Sequence, residues 1–257
     1  MLLEQNRGFN TFIKTAPVTS FLIVTVTLMF LITSFYGGLS SDLSTRFQVL
    51  RYFGALDTGR VYREGEYWRF FTVMFLHNDF MHFLFNVGFG LFLISSALER
   101  MIGPKKFALI YFLSGIGASA IVFGYDIYIR QTASFGVGAS GAIYGVLGTL
   151  LFLTMYKTDW FSPRDISSIR GLILINVVFT FLVPQISTAA HLGGLVSGFL
   201  LAALLNPSRY YAGKTKGFND PYDPYAQERH KKINEDEDPF DYIEIVDDDD
   251  DDDRRVW

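Results

Sequence analysis

The amino-acid sequence predicts an all-α fold, a polytopic bundle of six transmembrane helices. Three observations predict it. Half of the 257 residues are hydrophobic and 19% are charged, where a soluble domain carries about 25% charged residues. The apolar residues lie in charge-free stretches near the roughly 20 residues that a helix needs to cross a hydrocarbon core of about 30 Å. Lys and Arg cluster in the segments between those stretches.

The spans follow in order. Residues 18–36 form the first, residues 80–98 the second between Asp79 and Glu99, and residues 107–125 the third between Lys106 and Asp126. The fourth covers residues 140–156. No charge then appears between Arg170 and Arg209, a stretch too long for one span, with Pro184 near its middle. It reads as a hairpin: a fifth span that begins before Arg170 and ends near Val183, and a sixth over residues 188–205. Arg170 is expected to snorkel to the interface. The first span closes on bulky Phe35 and Tyr36 without a small-residue cleavage site, so it reads as a retained anchor.

Three regions result: a cytoplasmic N-terminal segment (1–17), a membrane domain (18–205) whose long first loop (37–79) is external, and a tail (206–257). The tail is polar and acidic, with seven aspartates from Asp247 to Asp253, and its composition reads as disordered and cytoplasmic. That run supplies much of the net charge of −4, and the remainder is slightly basic, which argues against a nucleic-acid partner. The chain has no cysteine, which excludes disulfides, thiolate catalysis and Cys-ligated zinc together.

Polar groups inside spans are costly and mark function. His82 and Asn86 stand four apart on the second span, Ser140 opens the fourth within Gly138-Ala139-Ser140-Gly141, and His191 is near the start of the sixth. Spans two, four and six run in the same direction, so the four residues share a depth toward the outer leaflet. Gly141 and Gly145 with Gly148, and Gly194 with Gly198, form small-residue ridges that let membrane helices approach closely. A serine hydroxyl is a poor nucleophile without a base, and a neutral imidazole supplies one. No carboxylate lies on spans four to six, so the pair is a dyad. Tyr144, one turn after Ser140, can hold the imidazole. The Ser140 amide at a helix N-terminus, with the Asn86 and His82 side chains, can face an oxyanion.

Taken in order, Trp68-Arg69, His77 with His82 and Asn86, Gly138-Ala139-Ser140-Gly141 with Tyr144, and Ala190-His191 with Gly194 and Gly198 resemble the rhomboid intramembrane serine proteases. The resemblance covers roughly residues 67–205. A GxSG sequence alone arises often by chance; the ordered set, each member on its expected span, is specific. The resemblance implies Ser140 as nucleophile, His191 as general base, His82 and Asn86 as oxyanion-side donors, Tyr144 stacked on the histidine, and Trp68 and Arg69 as a first-loop signature that shapes the loop. It also implies transmembrane proteins as substrates, cut within the bilayer of a cell membrane. The acidic tail is not part of that pattern.

Other readings weigh against this one. A single serine in a membrane helix usually bonds its own i−4 carbonyl, and glycine ridges alone mean packing. His77, His82 and His191 as a metal cluster lack an HExxH sequence and a carboxylate at that depth, so no metal and no cofactor are expected. His77 itself reads as structural at the loop–helix junction. The second class is a transporter, or a non-catalytic substrate-binding or quality-control protein; broken helices in related repeats, the mark of many transporters, are not visible.

Orientation comes from short-loop basic residues. Arg7 and Lys14, Arg100, Lys105 and Lys106, Lys157, Arg164 and Arg170, and Arg209, Lys214 and Lys216 all fall on one side of a six-span chain, against Arg130 on the other. The long first loop, with five arginines, is discounted because long loops translocate regardless of charge. A reporter fused after Asn206 is therefore expected in the cytoplasm. An external reporter would require an odd number of spans and would separate the four polar residues in depth.

Overall fold

The computed structural model describes residues 9–38, 43–129, 134–183 and 186–210. The tail from residue 211, Arg130, and Pro184 with Gln185, for which a turn is expected, lie outside them. Helices α1 (Phe9–Thr15), α2 (Pro17–Gly38), α3 (Leu43–Tyr52), α4 (Thr58–Glu64) and α5 (Arg69–Thr72) come first. Then α6 (Phe80–Leu84), a π-helical stretch Phe85–Ser95 and α7 (Ser96–Ile102) run as one rod. Helices α8 (Pro104–Tyr128), α9 (Ser140–Tyr156), α10 (Pro163–Leu182) and α11 (Thr188–Leu205) complete the bundle. The fold is an all-α polytopic helical bundle. Among the described residues, five helical segments are long and apolar enough to cross a membrane: Pro17–Gly37, Phe80–Ile102, Pro104–Tyr128, Pro163–Leu182 and Thr188–Leu205. Helix α9, at 17 residues, is shorter than these.

One feature of the elements differs from the sequence expectation, and another adds to it. The second span is a single α-helix on paper, but its centre widens into eleven residues of π-helix. Gly90 lets this stretch lie against Ile143 of α9, because a Cβ there would collide with the isoleucine side chain. The first loop is folded as well. Its β1 (Leu56–Asp57) pairs antiparallel with β2 (Phe135–Gly136), Leu56 opposite Gly136 and Asp57 opposite Phe135. Arg69 organises the same loop. Its buried guanidinium donates from Nη1 to the carbonyls of Arg51 (2.7 Å) and Ala55 (2.8 Å), and its Nε pairs with Glu66. Trp68 lies under it, the guanidinium carbon 4.5 Å from the ring centroid.

The interior is layered around α9, of whose 17 residues most are buried. Its closest neighbours are α11 and α8. Glycine sets these approaches. A Cβ at Gly194 would strike the Gly141 carbonyl, one at Gly198 the Gly145 carbonyl, and one at Gly148 the Leu195 carbonyl. The two backbones therefore touch directly. Thr149 Oγ1 lies 3.0 Å from the Gly145 carbonyl and 3.1 Å from the Gly198 carbonyl, joining both helices. On the α8 side, Gly145 faces Ser114 and Gly141 faces Ala118.

Two charged groups tie the periphery to this centre. Glu99 is fully buried and accepts from the backbone N–H groups of Val18 (2.8 Å) and Thr19 (2.7 Å). A carboxylate there meets the free amides and positive dipole end of α2. Arg170 does not simply snorkel: its Nη2 donates to the Thr154 carbonyl at 2.7 Å, fastening α10 to the far end of α9. Only Ile173 and Thr180 of α10 are buried.

The glycine contacts make a paired test. Gly198→Ala places a methyl against backbone, which cannot move aside, and is expected to lower the thermal unfolding midpoint in micelles sharply or to prevent folding. Gly124→Ala meets nothing within 4 Å and is expected to be neutral or to stabilise by up to about 1 kcal/mol through helix propensity. Equal effects of the two would mean that the α9–α11 contact is not close.

Candidate active site

The site is assembled at the starts of three helices. Helix α9 begins at Ser140, so the first-turn amides have no intrahelical partner. The segment before it is held on both sides: β2 pairs with the first loop, and the Gly138 N–H donates to the Val73 carbonyl at 3.0 Å. Gly138 has φ +130°, a conformation that a side chain strains. A Cβ at Gly138 would also come within 2.8 Å of His82 Nε2 and 3.6 Å of Ser140 Oγ. The same small space is thus bordered by the serine and by His82.

His82 stands in α6, whose N-cap Asp79 accepts from the His82 backbone N–H at 2.8 Å. Asn86, buried, donates from Nδ2 to the His82 carbonyl at 2.8 Å. This is a bond to the backbone of its own helix one turn earlier, made at the junction where α-helix gives way to π-helix. One amide hydrogen of Asn86 serves this bond and a second is left over.

His191 lies in the first turn of α11, where its backbone N–H donates to the Ser187 carbonyl at 3.1 Å and the Ser187 side chain accepts from Ala190 N–H. The buried imidazole stacks on Tyr144, ring centroids 3.9 Å apart and planes 21° apart. Gly141 and the Ala190 carbonyl adjoin across the helix pair. His191 Nδ1 is 2.9 Å from Thr180 Oγ1, and Tyr144 Oη is 2.6 Å from the same oxygen. Among the described residues Ser140 Oγ and His191 are not hydrogen-bonded; such contacts often close only with substrate in place.

The structure therefore gathers Ser140, Gly138, Gly141, Tyr144, His82, Asn86 and His191 at one end of the bundle. The contacts of Trp68 and Arg69 lie instead within the first loop, whose β1 braces the segment leading to Ser140. Sequence reasoning missed Thr180 and the Asn176 carbonyl, which accepts from Tyr144 Oη at 2.7 Å. Ten residues separate Thr180 from His191, and α10 ends and α11 begins between them, so no helical period relates them. Among the described residues no group of three or more His, Cys, Asp or Glu is clustered as metal ligands would be.

A membrane helical bundle with a serine at a helix start and a stacked, buried histidine on the facing helix defines the class. Residues 64–208 match the Rhomboid domain family, and the chain belongs to the rhomboid family. It is 35% identical over 190 residues to the rhomboid protease GluP of Bacillus subtilis, covering 74% of this chain and 35% of GluP. It is 33% identical over 202 residues to YdcA of the same bacterium, covering 78% of this chain and 94% of YdcA. RHOMBOID-like protein 1 of Arabidopsis thaliana is 33% identical over 196 residues, which cover 74% of this chain and 46% of the plant protein. The chain thus spans about a third of GluP and nearly all of YdcA. With these apolar helices, it is an integral, multi-pass membrane protein.

His77 sits beside the site in the segment before α6, fully buried, its ring 5.0 Å from that of His82. Neither ring nitrogen has a hydrogen-bond partner among the described residues. Burial first, and then the neighbouring His82, push its pKa down to about 3 from an ordinary 6.5. Between those values the unfolded chain binds a proton that the folded chain refuses, so this contribution to stability is full above pH 6.5 and is lost as pH falls toward 3. The unfolding midpoint in micelles is expected to drop between pH 6.5 and pH 4, and His77→Gln to flatten that drop. An unchanged pH dependence in the variant would remove His77 as its source.

Proposed function

We propose that this chain is an intramembrane serine endopeptidase that cuts transmembrane segments of other membrane proteins, with Ser140 as nucleophile and His191 as general base. The observation that carries the reading is the setting of His191: its ring stacks on Tyr144, one turn after Ser140, across a helix pair in backbone contact. The relatives add support, since GluP is named a rhomboid protease.

The chemistry runs in two halves. His191 Nε2 takes the Ser140 hydroxyl proton as Oγ bonds to the substrate carbonyl carbon, and the carbonyl oxygen becomes an oxyanion. The Ser140 amide at the start of α9, the spare Asn86 amide hydrogen and His82 Nε2–H are the donors for that oxygen. The C–N bond then breaks as His191 returns the proton to the leaving amine, leaving an acyl group on Ser140. In the second half water attacks the acyl carbon, gives its proton to His191, and the Ser140 oxygen leaves and recovers it. A substrate helix must open locally to offer its carbonyl, which favours Gly and Ser near the cut. Both termini are assigned to the cytoplasm of a cell membrane.

If the two residues act as a unit, their effects are non-additive. Ser140→Ala, His191→Ala and the double variant are each expected to lose roughly 10⁴-fold or more of turnover on a model transmembrane substrate, about equally. A fluorophosphonate probe should label the wild type and not Ser140→Ala, and a chelator should change nothing. Proteolysis retained by Ser140→Ala, or activity abolished by a chelator and restored by zinc, would overturn the assignment.

A further inference from the structure

A general base must present a bare nitrogen. For His191 to accept a proton at Nε2, its own ring proton must sit on Nδ1, and the tautomer is decided by what Nδ1 meets. In a Ser-His-Asp triad a carboxylate meets it. Here the one carboxylate on α9, α10 and α11 is Asp165, in the first turn of α10 and fifteen residues from Thr180, and the side-chain partner of His191 Nδ1 is the Thr180 hydroxyl.

Thr180 is 1% exposed, on a helix whose side chains otherwise lie mostly at the bundle surface. Its Oγ1 is within hydrogen-bond distance of three groups: Tyr144 Oη at 2.6 Å, His191 Nδ1 at 2.9 Å and the Asn176 carbonyl at 3.0 Å. A threonine that merely bonds its own i−4 carbonyl needs only the last of these. A hydroxyl has one proton and two lone pairs. The Asn176 carbonyl can only accept, so it takes the Thr180 proton. Tyr144 Oη can donate to Thr180 or to the Asn176 carbonyl at 2.7 Å. Either way the Thr180 oxygen keeps a lone pair for Nδ1–H.

We propose that Thr180 is the positioning residue of this site: it accepts the Nδ1 proton of His191, fixes the tautomer with Nε2 bare, and with Tyr144 holds the ring toward Ser140. The inference rests on the assignment of Ser140 and His191 made above. It makes the base depend on a third helix. Ser140 is on α9, His191 on α11 and Thr180 on α10, which is fastened ten residues earlier by the bond from Arg170 to the Thr154 carbonyl. The neighbouring polar side chain on α10, Asn176, spends its amide on the Leu172 carbonyl at 2.9 Å and leaves its own carbonyl to the network.

The test uses the purified full chain in micelles with a model transmembrane substrate. Thr180→Val keeps the shape and removes the hydroxyl; Thr180→Ser keeps the hydroxyl. Thr180→Val is expected to lower kcat roughly 10–100-fold with KM little changed, the cost of an unmade buried hydrogen bond. Thr180→Ser should restore kcat to within about threefold of wild type, because the donor and acceptor inventory is the same. Nitrogen-15 spectra of histidine-labelled protein, with the His191 signals identified by their loss in His191→Ala, should show one neutral tautomer protonated at Nδ1 in the wild type and a mixture in Thr180→Val. A wild type protonated at Nε2, an unchanged kcat in Thr180→Val, or a Thr180→Ser as impaired as the valine variant would each overturn the proposal. Should the valine variant not fold, the wild-type tautomer and the serine variant still decide. Cleavage that survives Ser140→Ala would fell the protease reading instead, and the tautomer would still report whether Thr180 holds the ring.

Discussion

Everything at the site depends on the backbone-to-backbone contact of α9 and α11. Glycine carbonyls on one helix occupy the places where the other would carry a Cβ. Lipid tails are as apolar as leucine, so no hydrophobic drive pulls two such helices together; close van der Waals packing and interhelical hydrogen bonds do. The glycines and Thr149 supply both. Only at that separation can the Tyr144 ring, rooted in α9, lie flat on an imidazole rooted in α11.

Around this seam the fold braces what must not drift. The serine begins a helix, and helix starts fray unless held. Here the preceding segment is pinned by a strand pair to the first loop and by Gly138 to Val73. The first loop is in turn shaped by the buried Arg69, whose guanidinium satisfies two carbonyls of the preceding segment. The long first loop thereby becomes part of the scaffold. On the other side Glu99 secures α2 to α7 by capping it, a join that holds two spans together through main-chain amides.

Much of this was legible in the sequence. Charge-free stretches located the helices well, and the boundaries at Ser140, Tyr156, Thr188 and Leu205 agree with α9 and α11. The glycine spacing marked the seam, and the residues gathered at the helix starts were those the spacing had singled out. What stayed hidden has a physical reason. The π-helical stretch keeps the same apolar composition as an α-helix, so hydropathy does not register it. The two-residue strands are too short to show alternation. Thr180 looks like any threonine in a membrane helix, most of which bond their own turn; only the packing of α10 against α9 and α11 brings its hydroxyl to the imidazole. Pattern reveals periodicity along one helix and is silent about which residues of different helices meet.

The shortness of α9 has a geometric consequence. Seventeen residues rise about 26 Å, a little short of a hydrocarbon core of roughly 30 Å. Irregular backbone next to so short a helix lies close to the apolar layer, where lipid offers no hydrogen bonds. Such backbone survives at that depth only when protein encloses it or water lines it. The strand pair and the bond from Gly138 to Val73 supply that enclosure: they give the backbone before α9 the hydrogen-bond partners that lipid could not.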